Sequence, residues 1–151
     1  MLNIQTLVWV KPSEISIPNT IKDWLLDETS LTEKLKKTYP NFNLKVLSQK
    51  DTLPYANEEF IVLKKTPSIR EVLLLNEDTP LVFARSIIPY TQDTKILCGI
   101  NNKPLGEILF NSNNIKRSSF EITKQNNIWG RRATFTLGKT KILVAEFFLN
   151  L

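Results

Sequence analysis

An α+β fold, with helices laid against one face of a single antiparallel β-sheet, is what this 151-residue sequence predicts. Three observations carry that expectation. Stretches whose apolar residues alternate with period two outnumber stretches with helical spacing by about two to one. Several of the strand-like stretches are joined by short turn sequences, as in hairpins. No internal repeat, low-complexity tract or linker interrupts the chain, so residues 1–151 read as one domain.

Taken in order, residues 20–28 carry Ile21, Trp24, Leu25 and Glu28 at helical spacing, with Asn19 as the expected cap. Ser30 and Glu33 form a capping-box pattern, and Lys34, Lys36 and Lys37 around Leu35 suit the negative end of a second helix. The two helices meet at Thr29-Ser30 in a tight corner. From Phe42 the period becomes two, Phe42, Leu44 and Val46 alternating against Asn43, Lys45 and, less cleanly, Leu47. Residues 60–63 read as a short strand. Residues 69–75 and 81–88 flank Asn76 to Pro80 as a hairpin that Pro89 ends. Residues 103–110 form a short helix, with Pro104 in its first turn and Leu105, Ile108 and Leu109 on one side. Strand-like stretches at 115–122, 129–137 and 142–149 follow, the last two joined at Gly138-Lys139-Thr140.

Composition removes several functional classes. With no histidine, the chain lacks Ser-His or Cys-His catalysis and any His-containing metal site. The single Cys98 has no internal disulfide partner, and a lone thiol without a histidine reads as a small hydrophobe. A net charge of +5 suits an anionic partner, but no block of five or six basic residues forms the stripe that nucleic acid requires. Residues 1–10 carry an apolar patch without a basic lead-in or cleavage site, and no apolar run approaches the ~20 residues of a membrane span. A soluble cytoplasmic protein without a membrane span is expected.

Two charged residues fall where charge is expensive. Arg70 is in phase with Val72 and Leu74, and Glu146 with Ile142, Val144 and Phe148, so both should face the interior. They form a structural Arg70–Glu146 salt bridge or two unrelated ion pairs, or else hold a small anionic ligand between them, Arg70 gripping a carboxylate and Glu146 working at the far end. Glu71, Arg85, Glu121, Arg131 and Arg132 read as solvated cross-strand pairs, although Arg85, among Phe83, Ala84 and Ile87, could border the same cavity. Pro104-Leu105-Gly106 either offers backbone N–H groups to an anion or simply starts a helix.

Six stretches in register carry a family resemblance. They are Trp24-Leu25-Leu26 with Ser30-Leu31-Thr32, Arg70-Glu71-Val72-Leu73-Leu74, Arg85-Ser86-Ile87-Ile88-Pro89, Pro104-Leu105-Gly106, Trp129-Gly130-Arg131-Arg132 and Glu146-Phe147-Phe148-Leu149. Together they resemble bacterial chorismate lyase across nearly the whole chain. The resemblance implies a sheet of about six antiparallel strands whose helical flaps cover a buried ligand site. By position it implies that Arg70 binds the ring carboxylate, that the Leu105 backbone N–H faces the same group, and that Glu146 meets the 4-hydroxyl. Leu31 falls where the first flap contributes a main-chain contact; some relatives carry Met there, so the side chain departs from the pattern.

The implied activity is elimination of pyruvate from chorismate to give 4-hydroxybenzoate, without metal or cofactor, by a monomer feeding ubiquinone synthesis. Arg70 and Glu146 would be the catalytic residues. The alternative is a non-catalytic module on the same scaffold, like the acid-sensing domains attached to some bacterial transcription regulators. The presence of both Arg70 and Glu146 favours the enzyme.

Overall fold

The computed structural model describes residues 2–58, 65–97, 99–110 and 115–151. The strand expected at 60–63 and the thiol of Cys98 lie outside the described residues. Ten regular elements fall within them: α1 (Asn19–Leu25), α2 (Leu31–Thr38), β1 (Phe42–Asp51), β2 (Ser68–Asn76), β3 (Thr79–Ile88), α3 (Leu105–Phe110), β4 (Ile115–Arg117), β5 (Glu121–Gln125), β6 (Ile128–Leu137) and β7 (Thr140–Phe148). Among the described residues no helix is long and apolar enough to cross a membrane.

Period-two alternation builds the sheet. Its seven described strands run antiparallel in the order β1-β2-β3-β7-β6-β4, while β5 pairs with the other end of β6. Leu47, the residue that blurred the alternation of β1, is the position where the register with β2 shifts between Val46 and Ser48. A bulge of this kind adds one residue to one strand and leaves its side chain outside the pattern. Beyond it the strand continues to Asp51, further than alternation alone indicated.

Other boundaries differ for local reasons. Asn19 is the first residue of α1 rather than its cap; Pro18 holds the cap position and no side chain caps the helix. In α2 the Ser30 hydroxyl accepts from the Glu33 N–H at 3.3 Å, so the serine half of the capping pattern forms. The stretch 115–122 is two strands, because the chain leaves β6 after Ser118, whose N–H still donates to the Thr134 carbonyl at 2.8 Å, and rejoins it at Glu121. Asn126 and Asn127, both with positive φ, turn β5 into β6.

Helices α1 to α3 lie on one sheet face. Leu25, Leu31 and Leu35 pack with Val72, Leu74, Val82, Trp129 and Phe148. On the same face, Leu105 and Leu109 pack with Ala133, Phe135, Ile142 and Val144. Each fully buried leucine here contributes about 1.5–3 kcal/mol. The other face is covered by the N-terminal segment, whose Leu7 packs on Ala145 and Phe147 beside Trp9 and Phe83. Gly130 is required there: a Cβ would stand 2.6 Å from the Phe147 ring, which crosses β6 at that point.

Candidate active site

Strand register explains why a cavity exists on the helical face. Arg70, Ser86, Val144 and Ala133 lie in one row across β2, β3, β7 and β6, and Val72, Ala84, Glu146 and Arg131 lie in the next. At the centre of both rows β3 supplies only Ser86 and Ala84, where a packed face would carry large aliphatics. Interiors are close-packed, so small residues facing a helix layer leave space unless the layer collapses onto them. Here the α1–α2 cluster and the α3 cluster stand on either side, and a cavity of about 50 Å³ remains between them. Its walls include Leu31, Leu44, Leu74, Leu105, Phe120 and Phe135, so the enclosure is largely apolar.

Arg70 stands at one side of this space, 2% exposed. Its Nη1 donates to Gln49 Oε1 at 3.2 Å and to the Asn101 carbonyl at 2.7 Å, and its Nη2 donates to the Lys103 carbonyl at 2.8 Å. All three acceptors are neutral; among the described residues no carboxylate pairs with it. Burial alone lowers its pKa from the usual arginine range, yet a guanidinium remains charged in any protein. A buried cation held by neutral dipoles is oriented but not neutralised.

Glu146 stands two strands away on β7 and one row further along, roughly 12 Å from Arg70 between backbones. Its Oε1 accepts from Arg131 Nε at 3.0 Å, and no described protein group donates to Oε2. Arg131 in turn donates through Nη1 to the carbonyls of Trp24, Leu25 and Asp27, which ties the C-terminal end of α1 to the sheet. One arginine thus orients Glu146 and anchors the corner that carries Leu31.

That corner is stiffened locally. Asp27 Oδ1 accepts from the Thr29 N–H at 2.8 Å and the Thr29 hydroxyl at 2.6 Å, and its Oδ2 pairs with Lys34 at 3.1 Å. Burial opposes ionisation here, but the Thr29 hydrogen bonds and Lys34 outweigh it and lower the Asp27 pKa to about 2. Across the cavity, Leu105 and Gly106 open α3, and Lys36 of α2 reaches Glu107 of α3 at 3.0 Å. The two segments that close the cavity are therefore joined by one exposed ion pair, which contributes little to stability.

All four residues expected at the site, Leu31, Arg70, Leu105 and Glu146, line this one cavity. The direct Arg70–Glu146 ion pair does not form, because Arg131 takes Glu146 instead. Arg85 does not border the cavity: it lies on the opposite face, donating to both oxygens of Glu58 at 2.8 and 2.9 Å and to Glu71 at 2.9 Å. Arg131 and Arg132, expected to be solvated, are both buried, on opposite faces of β6. Sequence phase alone would have found Arg131, since Trp129, Arg131, Ala133 and Phe135 keep the alternation that marked Arg70 and Glu146. Arg117, on the three-residue strand β4, also lines the cavity and carried no such signal.

Fold and site together define an α+β protein with a largely apolar cavity bearing an oriented carboxylate and a buried guanidinium that has no carboxylate partner among the described residues. The chain belongs to the chorismate lyase family, which matches residues 3–151. Its relatives include the "Probable chorismate pyruvate-lyase" of Pasteurella multocida, 34% identical over 155 residues, covering 97% of this chain and 91% of that protein. The protein of the same name from Hydrogenovibrio crunogenus is 34% identical over 154 residues (88% and 83% covered), and that from Pseudoalteromonas atlantica is 32% identical over 167 (95% and 86%).

Proposed function

We propose that this protein is a chorismate lyase that converts chorismate to 4-hydroxybenzoate and pyruvate without a cofactor, as a cytoplasmic monomer supplying the first step of ubiquinone synthesis. The observation that carries the reading is a largely apolar cavity with Arg70 on one side and Glu146 on the other, Arg70 without a carboxylate partner and Glu146 Oε2 without a donor among the described residues. Family membership names the acid; the site explains how it would react.

In the reaction the C4 proton leaves, the C3–oxygen bond breaks, and the enolpyruvyl fragment departs as enolpyruvate, which takes up a proton to become pyruvate. The ring becomes aromatic, so much of the driving force belongs to the substrate. What the protein must supply is orientation, exclusion of water and proton management, and orientation alone can contribute ~7 kcal/mol or more. Arg70 and the Leu105 N–H take the ring carboxylate, which sets the ring across Ala84 and Ser86. The C4 end then meets Glu146, whose Oε1 is occupied by Arg131 while Oε2 faces the substrate. Leu31 contributes a main-chain contact from the flap, where the nature of its side chain matters less than its position.

The test is direct. Purified protein mixed with chorismate alone should release 4-hydroxybenzoate and pyruvate in equal amounts, followed by chromatography. Arg70→Ala should lose both turnover and calorimetric affinity for 4-hydroxybenzoate, and Glu146→Gln should lower kcat by about 100-fold or more with product affinity largely kept. Chorismate bound tightly but left intact would make the protein an acid-sensing module instead. Full turnover by Glu146→Gln would remove its role in proton transfer.

A further inference from the structure

Arg117 is a cavity-lining cation whose hydrogen bonding is incomplete. Its Nη1 is buried and has no partner among the described residues, while Nη2 lies 3.5 Å from Glu28, a carboxylate 81% exposed and therefore heavily screened. An unpaired buried guanidinium N–H is costly, and native structures keep such groups rarely. The Arg117 guanidinium also stacks on the Phe120 ring at 4.1 Å, and Arg131 stacks on the same ring at 4.4 Å. Two like charges are thus held against one aromatic side chain, an arrangement that favours an anion between them.

The charge of the cavity points the same way. Its ionisable lining is Arg70, Arg117, Arg131 and Glu146, three cations and one anion, a net of two positive charges. 4-Hydroxybenzoate carries one negative charge, whereas chorismate carries two. In chorismate the enolpyruvyl arm leaves C3, next to the C4 hydroxyl, so its carboxylate lies at the Glu146 end of the ring. Arg117 is at that end: burial lowers its pKa, Arg131 adds repulsion, and both Glu28 and Glu146 attract it.

We propose that Arg117, through its unpartnered Nη1, receives the enolpyruvyl carboxylate and so distinguishes substrate from product; this rests on the lyase reading above. Arg70 grips a group that substrate and product share. Arg117 grips one that departs with pyruvate. Once the C3–oxygen bond breaks, the product keeps only the Arg70 anchor, and the second cation is again uncompensated.

The experiment compares Arg117→Met and Arg117→Lys with the parent by steady-state kinetics on chorismate, calorimetry with 4-hydroxybenzoate, and thermal unfolding. For Arg117→Met, kcat/KM for chorismate should fall about 10- to 100-fold, mainly through KM, while the Kd of 4-hydroxybenzoate stays within about threefold. Thermal stability should not fall, because an unpaired buried donor is removed, and Arg117→Lys should recover part of the loss. The proposal is overturned if kcat/KM stays within about threefold of the parent, or if product affinity falls in parallel with it. A parent protein inert toward chorismate would remove the lyase reading and this proposal together; an active parent with an unimpaired Arg117→Met variant removes this proposal alone.

Discussion

The two faces of the sheet both bury arginines, and they treat them differently. On the face covered by the N-terminal segment, Arg85 is held by both oxygens of Glu58 and by Glu71, and its guanidinium stacks on Tyr55 at 4.3 Å. Burial would lower its pKa, but the two carboxylates outweigh it and raise it. On the helical face Arg131 is likewise paired, with Glu146, but among the described residues Arg70 has only neutral acceptors and Arg117 one nitrogen without a partner. A saturated buried cation is a structural group. One without a carboxylate partner can accept an anion from outside, which is the role the proposed function gives Arg70.

Glu58→Ala should give the largest effect, since it strands Arg85 in the interior. A loss of about 3–5 kcal/mol is expected in denaturant unfolding, with chorismate turnover by the folded fraction unchanged. Arg70→Ala should remove ligand affinity while costing less stability than Glu58→Ala, because three neutral acceptors lose a donor but no buried charge is left unpaired. Equal destabilisation by the two substitutions would break the contrast.

The cavity floor sharpens the same comparison. Ala84→Leu places three more carbons where the ring is expected, so kcat/KM should drop about 100-fold while the melting temperature holds or rises. A steep loss of stability instead would mean that this face is already packed to capacity. The smallest effect concerns the flap corner. Because the Asp27 carboxyl titrates at about 2 in the folded protein against an ordinary 3.8, its contribution is complete above about pH 4 and lost as pH falls through 2. That contribution is about 1–2 kcal/mol at most, given partial solvent access. Asp27→Asn should flatten the acid limb of the stability curve between those values, and an unchanged limb would show that the corner is held by other contacts.

Alternation made most of the sheet readable in advance, as it did the inward phase of Arg70 and Glu146. It gives phase within a strand but not which strands share a face, so Arg85 reads as a solvated pair that could border the cavity, while its burial on the face opposite Arg70 needed the pairing of Arg70 with Ser86. The Arg131-Arg132 pair misled because adjacent charged residues look like a solvated strand end; in fact each arginine enters a different core. Arg117 sits on a strand of three residues, too short to show any period. The irregular N-terminal cover has neither helical nor strand periodicity, and Ala84 and Ser86 mark a cavity only once the layer above them is known.

The cavity separates two apolar clusters that would otherwise be one. The α1–α2 cluster and the α3 cluster each rest on the sheet on their own side of the cavity, with Phe120 packed against both. An aromatic acid seated between Leu31, Leu105 and Phe135 would act as the missing core side chain and couple them into a single cooperative unit. On the lyase reading, substrate would then be a folding partner as well as a reactant, adding a second bridge to the one that Phe120 makes between the two clusters.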